Sequence, residues 1–559
     1  MAPQIITNTK HKAPANVNRG NIFEFLHSNP NKVDDNRPAY IRLDGKTVTR
    51  RQVYNDARSL AHAFRHRLGL PAGARIGILS PNSTYYPVAV HAGLCAGVVL
   101  VPMNAAYTAE ELLHPIHDAE VEYLLCHQSL LPVARQGFQL AKKGLKSRNG
   151  QNRIWILDDG DDLKRGDQGE EDLRTLLSDH RLEPHKVTDD ENTDAYIAYS
   201  SGTSGKPKGV QLTHRNITYV TIAACVTFDT DIGPDDVYLA VLPLNHIFGL
   251  AKFCHMAYYN GSASVVVPRF DLDVFCAAVQ KHRCNIAYVV PPILVQLTKN
   301  PKTDQYNLSS LKWVLSGAAP LGIELSNEFE KKFPTIRVTQ AWGLSETSPT
   351  ATYTSYRDYR TYAGSCGHMV AGVEGRLVDD DGNDVGHEQG ENGKPGEFWV
   401  RGPSIMRGYL NNKEATDDCI TPDRWFKTGD IAIVNKQGYF WIVDRKKELI
   451  KFKGFQVPPA ELEAVLLGHP KIADVAVIGV YDDSQATELP RAYVVPSEAA
   501  KSTDPAALAK EIVEWTASKV ANHKRLRGGV KIVDVIPKSP SGKILRRIIR
   551  DEAAKEAKK

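Results

Sequence analysis

The sequence is poor in the features that would place it in several large classes. No apolar run reaches the length needed to cross a bilayer, which excludes a helical membrane-spanning protein. Eight cysteines are scattered through 559 residues, with no CxxC pair and with apolar neighbours around Cys95, Cys225, Cys276 and Cys366. That usage predicts reduced core thiols, not a disulfide framework or a zinc site. Basic residues outnumber acidic ones by only 69 to 65, and the two signs are interspersed. So small an excess leaves no electrostatic footprint for nucleic acid. No internal repeat is present. Glu24 is the first acidic residue, preceded by Lys10, Lys12 and Arg19, but scarce arginine and Pro3 and Pro14 favour a frayed terminus over a transit peptide. Ala557-Lys558-Lys559 is not a Ser-Lys-Leu peroxisomal signal. Cytosol is the expected compartment, with peroxisome or mitochondrion as alternatives.

What is present is the make-up of a large globular protein, 42% hydrophobic and 24% charged, long enough for several cores. Short apolar segments recur with helical or turn segments between them: Arg75–Leu79, Val98–Val101, Val237–Leu242, Ser264–Val267, Ile286–Val290, Trp313–Leu315 and Ile336–Thr339. The pattern predicts an α/β fold with mostly parallel sheets. A small-residue helix is expected over Ser83–Ala96. The charged, Gly/Asp-rich stretch Lys142–Glu183 reads as a surface excursion. A Gly-punctuated β-rich stretch, Gly393–Val443, follows the parallel part. Composition then shifts near Asp444-Arg445-Lys446-Lys447. Beyond it a compact α+β unit is expected: helix Pro459–Leu467, strands Val475–Val480 and Arg491–Val495, helix Ala506–Val520 and strand Val530–Val535. The predicted domains are 1–444, a hinge at 445–447, and 448–559.

One stretch organises the rest. An apolar strand, Ala195–Tyr199, runs into Ser200-Ser201-Gly202-Thr203-Ser204-Gly205-Lys206-Pro207-Lys208-Gly209, and Gln211–Val220 reads as the start of a helix. Glycines let backbone N–H groups face phosphate oxygens, hydroxyls add neutral donors, and Lys206 and Lys208 add charge. The loop is not a Walker A motif, because no Gly stands five places before Gly205 and Pro207 follows the lysine. It resembles the phosphate loop of the adenylate-forming superfamily, which includes acyl- and aryl-CoA synthetases, 4-coumarate–CoA ligases, luciferases and peptide-synthetase adenylation domains. Thr203-Ser204 stands where the usual form has Thr-Thr. Further stretches follow in the superfamily's order, so the chain is similar to the 4-coumarate–CoA ligase-like group over nearly its whole length.

That resemblance implies roles for particular residues. His246, within Pro243–Gly249, would face the carboxylate to be activated. Gly317, Ala318 and Ala319, after strand Trp313–Leu315, would admit adenine. Gln340, Ala341, Trp342, Gly343 and Ser345 would continue the nucleotide site, with Trp342 as a flat face for a purine and Glu346 as the Mg²⁺ ligand. Asp430 and Arg445 would hold the ribose, a carboxylate being able to accept both hydroxyl protons of a diol. Lys543, in Pro537–Arg546, would be the catalytic lysine of adenylation. Lys447 takes the hinge position, and Lys451, Lys453, Gly454 and Gln456 would face the site when CoA reacts.

The implied acyl pocket comprises Ile247, Phe248, Ala251, Tyr288, Leu315, Gly317, Ala318, Ala341, Gly343, Pro349, Thr350 and Ala351. Leu315 replaces a lysine frequent in hydroxycinnamate ligases, and Ala341 replaces a frequent glycine. These departures predict an apolar aryl or medium-chain fatty acid, with weak use of dihydroxylated rings. The implied activity is ATP-dependent acid–CoA ligation through an acyl-AMP, using ATP, Mg²⁺ and coenzyme A with a small carboxylic acid, in a monomer or homodimer. Loading of a separate carrier protein, a luciferase-like oxidation and a non-catalytic nucleotide-binding relative are the alternatives. No Leu-Gly-Gly-(His/Asp)-Ser carrier site is present.

Overall fold

The computed structural model describes residues 4–15, 17, 19–147, 150–200, 207–227, 232–385, 394–453, 455–482, 485, 487–539 and 542–557. Two large sheets carry the first three-quarters of the chain. The nine-stranded sheet is ordered His368–Met369, Thr352–Tyr353, Arg337–Trp342, Trp313–Ser316, Ile286–Val289, Val237–Ala240, Ala263–Val266, Pro38–Ile41 and Thr47–Thr49. Its central strands, from Arg337–Trp342 to Pro38–Ile41, are parallel. The C-terminal ends of the strands that close on Ala240, Val289, Ser316 and Trp342 therefore share one edge, which is where open α/β sheets place ligands. Burial explains the apolar strands: Ile286–Val289 and Trp313–Ser316 are buried at every position, as expected of strands covered on both faces.

The seven-stranded sheet is ordered Gly408–Tyr409, Lys208–Thr213, Asp194–Ser200, Val99–Met103, Arg75–Leu79, Tyr123–Cys126 and Ile154–Ile156. Two expectations change here. Gln211–Thr213 is not helical, because Lys208–Thr213 pairs antiparallel with Asp194–Ser200. Val210 and Leu212 alternate into the core while Gln211 points outward. The helix His214–Thr227 follows, started by reciprocal bonds in which Asn216 N–H donates to Thr213 Oγ1 (3.2 Å) and Thr213 N–H to Asn216 Oδ1 (2.9 Å). The stretch Lys142–Glu183 is more than a surface excursion. Its Ile154–Ile156 forms a buried edge strand parallel to Tyr123–Cys126, and Leu173 and Leu176 are also buried. Within it, Asp172 is wholly buried with its carboxylate on Arg174, so polar composition hid a packed segment.

A four-stranded antiparallel sheet, Glu374–Val378, Gly396–Arg401, Phe426–Val434 and Phe440–Arg445, leads to the C-terminal part. From Ile450 onward the chain has its own apolar clusters, in which helix Pro459–Leu467 and strands Ile472–Asp482 and Thr487–Pro496 pack together. Strand Val530–Ile532 adds to them in parallel, and helix Arg546–Ala557 closes the chain. That third strand is shorter than expected. Val535 is 72% exposed, because the chain leaves the sheet to form a hairpin in which Lys538 bridges Ile544. All eight cysteines are free thiols, and among the described residues no helix is long and apolar enough to cross a membrane.

Candidate active site

The carbonyl ends of the nine-stranded sheet, the ribbon leading to Arg445 and the C-terminal hairpin enclose a cavity of about 950 Å³. Ala318, Ala319, Gln340, Ala341, Trp342, Gly343, Asp430, Arg445 and Lys543 line it. Its shape depends on local backbone constraints. Ala318 is held at φ +67°, in the left-handed region. The Gln340 side chain pins the loop beyond it, accepting the Leu321 N–H at 3.0 Å and donating to the Leu321 carbonyl at 3.3 Å. A Cβ at Gly343 would lie 1.7 Å from the Pro349 carbonyl oxygen, so no other residue fits there.

Trp342 is buried, and Phe398 stacks on one of its faces with centroids 4.6 Å apart. Only the other face is left for a planar ligand. Its indole Nε1–H donates to Asp430 Oδ2 at 2.8 Å. Arg445 Nε lies 3.2 Å from Asp430 Oδ1, yet that oxygen is buried without an aligned hydrogen bond among the described residues. Asp430 lines the cavity, and among the described residues it keeps one oxygen without a hydrogen-bond donor, an acceptor suited to a diol hydroxyl.

Glu346 sits in a short turn after the Arg337–Trp342 strand and is 8% exposed. Its Oε1 accepts from the Tyr409 hydroxyl at 2.8 Å and from Ser200 Oγ at 3.4 Å. Lys208 Nζ lies 4.7 Å from the centre of the same Tyr409 ring. Ser200 and Lys208 are register partners across the strand pair, so the two ends of the phosphate-loop motif stand beside Glu346. Ser201–Lys206 of that motif lie outside the described residues, as does Gly454. Among the described residues there is no cluster of three or more metal-ligating side chains. A single buried carboxylate suits Mg²⁺, which takes its other ligands from water and substrate phosphates.

Lys543 reaches this ground from the C-terminal hairpin. Ser539 and Lys543 close the turn by backbone bonds, and Gly542 supplies φ +80°. Lys538 is clamped on both oxygens of Asp474 at 2.7 Å. Burial pulls the Lys543 ammonium down to about 8, and Arg445 adds to this; Asp430, Glu346 and Glu448 act in the opposite direction. His246 is held down to about 4 by burial and then by the Lys543 charge, so it is neutral at pH 7. Its Nδ1 accepts the Phe248 N–H at 3.2 Å, which leaves the proton on Nε2 and makes that atom a donor.

The remaining predicted residues divide sharply. Ala341 and Gly343 line the cavity, whereas Ile247, Phe248, Ala251, Tyr288, Leu315, Pro349, Thr350 and Ala351 are buried behind it. Phe248 lies across Gly317, where a Cβ would stand 3.0 Å from its ring. Lys447, Lys451, Lys453 and Gln456 are exposed. Their hairpin is tied to the neighbouring strand through Lys451 N–H on Glu488 (2.7 Å) and Lys453 N–H on Thr487 (2.8 Å). Tyr409, Phe398 and Lys252 were not legible from motifs. Tyr409 and Phe398 come from other segments, whereas Lys252 follows His246 along the chain and is buried beside Tyr288 and Tyr353.

An AMP-binding enzyme model matches residues 27–410, and the AMP-binding enzyme C-terminal domain model matches residues 461–543. The chain belongs to the AMP-binding enzyme family. It is 36% identical over 545 residues to 4-coumarate-CoA ligase 1 of Narcissus pseudonarcissus, covering 96% of this chain and 94% of that protein. It is 35% identical over 512 residues to peroxisomal OPC-8:0-CoA ligase 1 of Arabidopsis thaliana, covering 90% and 88%. Among solved structures, apo MatB from Rhodopseudomonas palustris is 26% identical with a TM-score of 0.70, covering 95% and 98%. The anthranilate CoA ligase AuaEII bound to anthranoyl-AMP has a TM-score of 0.84 at 24% identity, covering 95% and 97%, a likeness of fold.

Proposed function

We propose that this AMP-binding enzyme is an acid–CoA ligase, joining a carboxylate to AMP from ATP and then passing the acyl group to the thiol of coenzyme A. The observation that carries the reading is the single cavity lined by Lys543, Asp430, Arg445 and Trp342 from distant segments, where the Lys543 ammonium feels the Glu346 charge and, together with burial, holds His246 neutral. A carboxylate and ATP are both anionic, so alignment and charge neutralisation dominate the barrier of the first step. His246 Nε2–H orients the carboxylate. The carboxylate oxygen then attacks the α-phosphorus, and the bond to the pyrophosphate oxygen breaks. Lys543 neutralises charge between carboxylate and α-phosphate, and Asp430 and Arg445 hold the ribose. Glu346 would hold Mg²⁺, which neutralises the phosphates. In the second step the CoA sulfur attacks the acyl carbon and AMP leaves.

The same reading assigns the exposed Lys451–Gln456 hairpin to the second step, reached by rotation of residues 448–559 about Lys447. The acid has an apolar body, either an aryl group or a medium-length chain, because the walls at Ile247, Phe248, Leu315 and Ala351 are apolar. The test is thioester formation with ATP, Mg²⁺ and CoA across aryl and medium-chain acids, with hydroxylamine trapping as a second readout. Thioester product is expected from the wild type. Hydroxamate without thioester would redirect the reading to a carrier-protein acceptor, and neither product would refute it.

A further inference from the structure

The wall behind Phe248 contains a charge. Lys252 lies on the segment Leu250–Met256, which continues from His246, and it is 2% exposed. Its Nζ is 6.0 Å from the Tyr288 ring centre and 5.5 Å from that of Tyr353. Tyr288 stacks with Phe248 at 6.2 Å, and Phe248 covers Gly317 at the end of its strand. Tyr353 is the register partner of Ala341, which lines the cavity. The ammonium therefore stands behind the rings that back the cavity wall, on a residue six places beyond His246.

Burial draws the Lys252 ammonium down to about 8, with Cys225 acting the other way, so it is mostly protonated at pH 7. The groups around it stay neutral there. Burial raises the Cys225 thiol to about 12 and raises the phenols of Tyr238, Tyr288 and Tyr353. Ring faces offset part of the cost of burying a cation. An ammonium also has three donors, so a protein neighbour leaves capacity for a ligand acceptor. Leu315, opposite Tyr288 in register, is apolar as expected, and the cation near that wall comes from the helix.

We propose that Lys252 is a specificity-determining residue of the acyl site. It selects acids whose far end carries an oxygen acceptor (a ring phenol, a chain ketone or a second carboxylate) over acids of the same length ending in hydrocarbon. This deepens the ligase reading and rests on its placement of the reacting carboxylate beside His246. The acid's body passes the Phe248 ring, which rotates off Gly317 to admit it, and the distal oxygen meets Nζ between the tyrosines.

The test measures acid binding to the full-length protein by calorimetry, using matched pairs: cinnamate with its para-hydroxy form, octanoate with its ω-1 keto form, and octanoate with suberate. At least one acceptor-bearing acid is expected to bind about tenfold or more tightly than its partner. Lys252→Met should level that pair chiefly by weakening the acceptor-bearing member, while Lys252→Arg keeps the preference. Hydrocarbon members favoured throughout, or equal weakening of both members in Lys252→Met, would overturn the proposal. If Lys252→Met fails to fold, the wild-type preference between the pair is followed with pH. Groups common to both acids cancel in the ratio, which should decline as pH rises through about 8 and would refute Lys252 by staying flat. Selective binding without ATP-dependent turnover would instead count against the ligase reading and leave the Lys252 assignment standing.

Discussion

Two lysine-bearing hairpins of the C-terminal part stand in opposite situations. Lys543 lines the cavity with Arg445 and Asp430, and burial and Arg445 lower its ammonium. Lys451 is exposed, and its backbone is tied to its own domain through Glu488. The difference bears on the proposed mechanism, in which one domain orientation serves one chemical step. On that proposal the Lys543 loop in the site would neutralise anionic reactants and would also occupy the ground that a thiol needs. Of the contacts near residues 445–447, that of Asp444 crosses them, while those of Arg550 and Arg546 lie within the C-terminal part. Asp444 accepts the Ala460 N–H at 2.8 Å, Arg550 binds Glu448 at 2.5 Å, and Arg546 binds the buried Glu463 at 2.6 Å.

On the proposed reading, variants at the two hairpins should affect different half-reactions. The largest effect is expected from Lys543→Ala, which should slow adenylate formation by about 10²–10³-fold, read by pyrophosphate release. Glu346→Gln should follow, lowering the same half-reaction by roughly 10²-fold and weakening its dependence on added Mg²⁺. Lys451→Ala should leave pyrophosphate release unchanged and slow thioester formation by about tenfold. Equal losses from Lys543→Ala and Lys451→Ala in both half-reactions would erase the contrast.

The acidity of Lys543 adds a dependence on pH. The Lys543 ammonium is lowered from 10.5 to about 8, so kcat/KM for adenylation should fall as pH rises past about 8, because the free enzyme then loses the charge. The sign for folding is opposite. Between about 8 and 10.5 the unfolded chain binds the extra proton, so this group makes the fold more stable as pH rises through that window. A pH–rate profile of Lys543→Arg, whose charge persists, should lose the alkaline limb. The smallest effect is expected from Gly542→Ala. It places a side chain at φ +80° with its Cβ 3.0 Å from Val290 Cγ2, costing about 1–2 kcal/mol of stability by thermal melt.

Much of this contrast was legible in the residue order, because local patterning dictates it. Strand Arg75–Leu79 and helix Pro459–Leu467 lie where their apolar spacing predicts, and Asp430 and Lys543, from separate motifs, line one cavity. Strand Lys208–Thr213 was obscured because its two-residue alternation runs straight into the helix-starting Thr213 and Asn216. Ile154–Ile156 was obscured by the polar residues that surround it, although Arg174 and Asp172 satisfy one another inside the fold. Tyr409, which holds Glu346, and Lys252, buried among tyrosines, have no local signature. Their roles arise only when separate segments meet.

The measurement that tests the domain assignment most directly supplies Lys543→Ala with preformed acyl-AMP and CoA and follows thioester formation in a single turnover. A rate close to that of the wild type is predicted, since the Lys543 loop serves only the first step. A loss as large as that seen in adenylate formation would contradict the account, because it would place Lys543 in both steps.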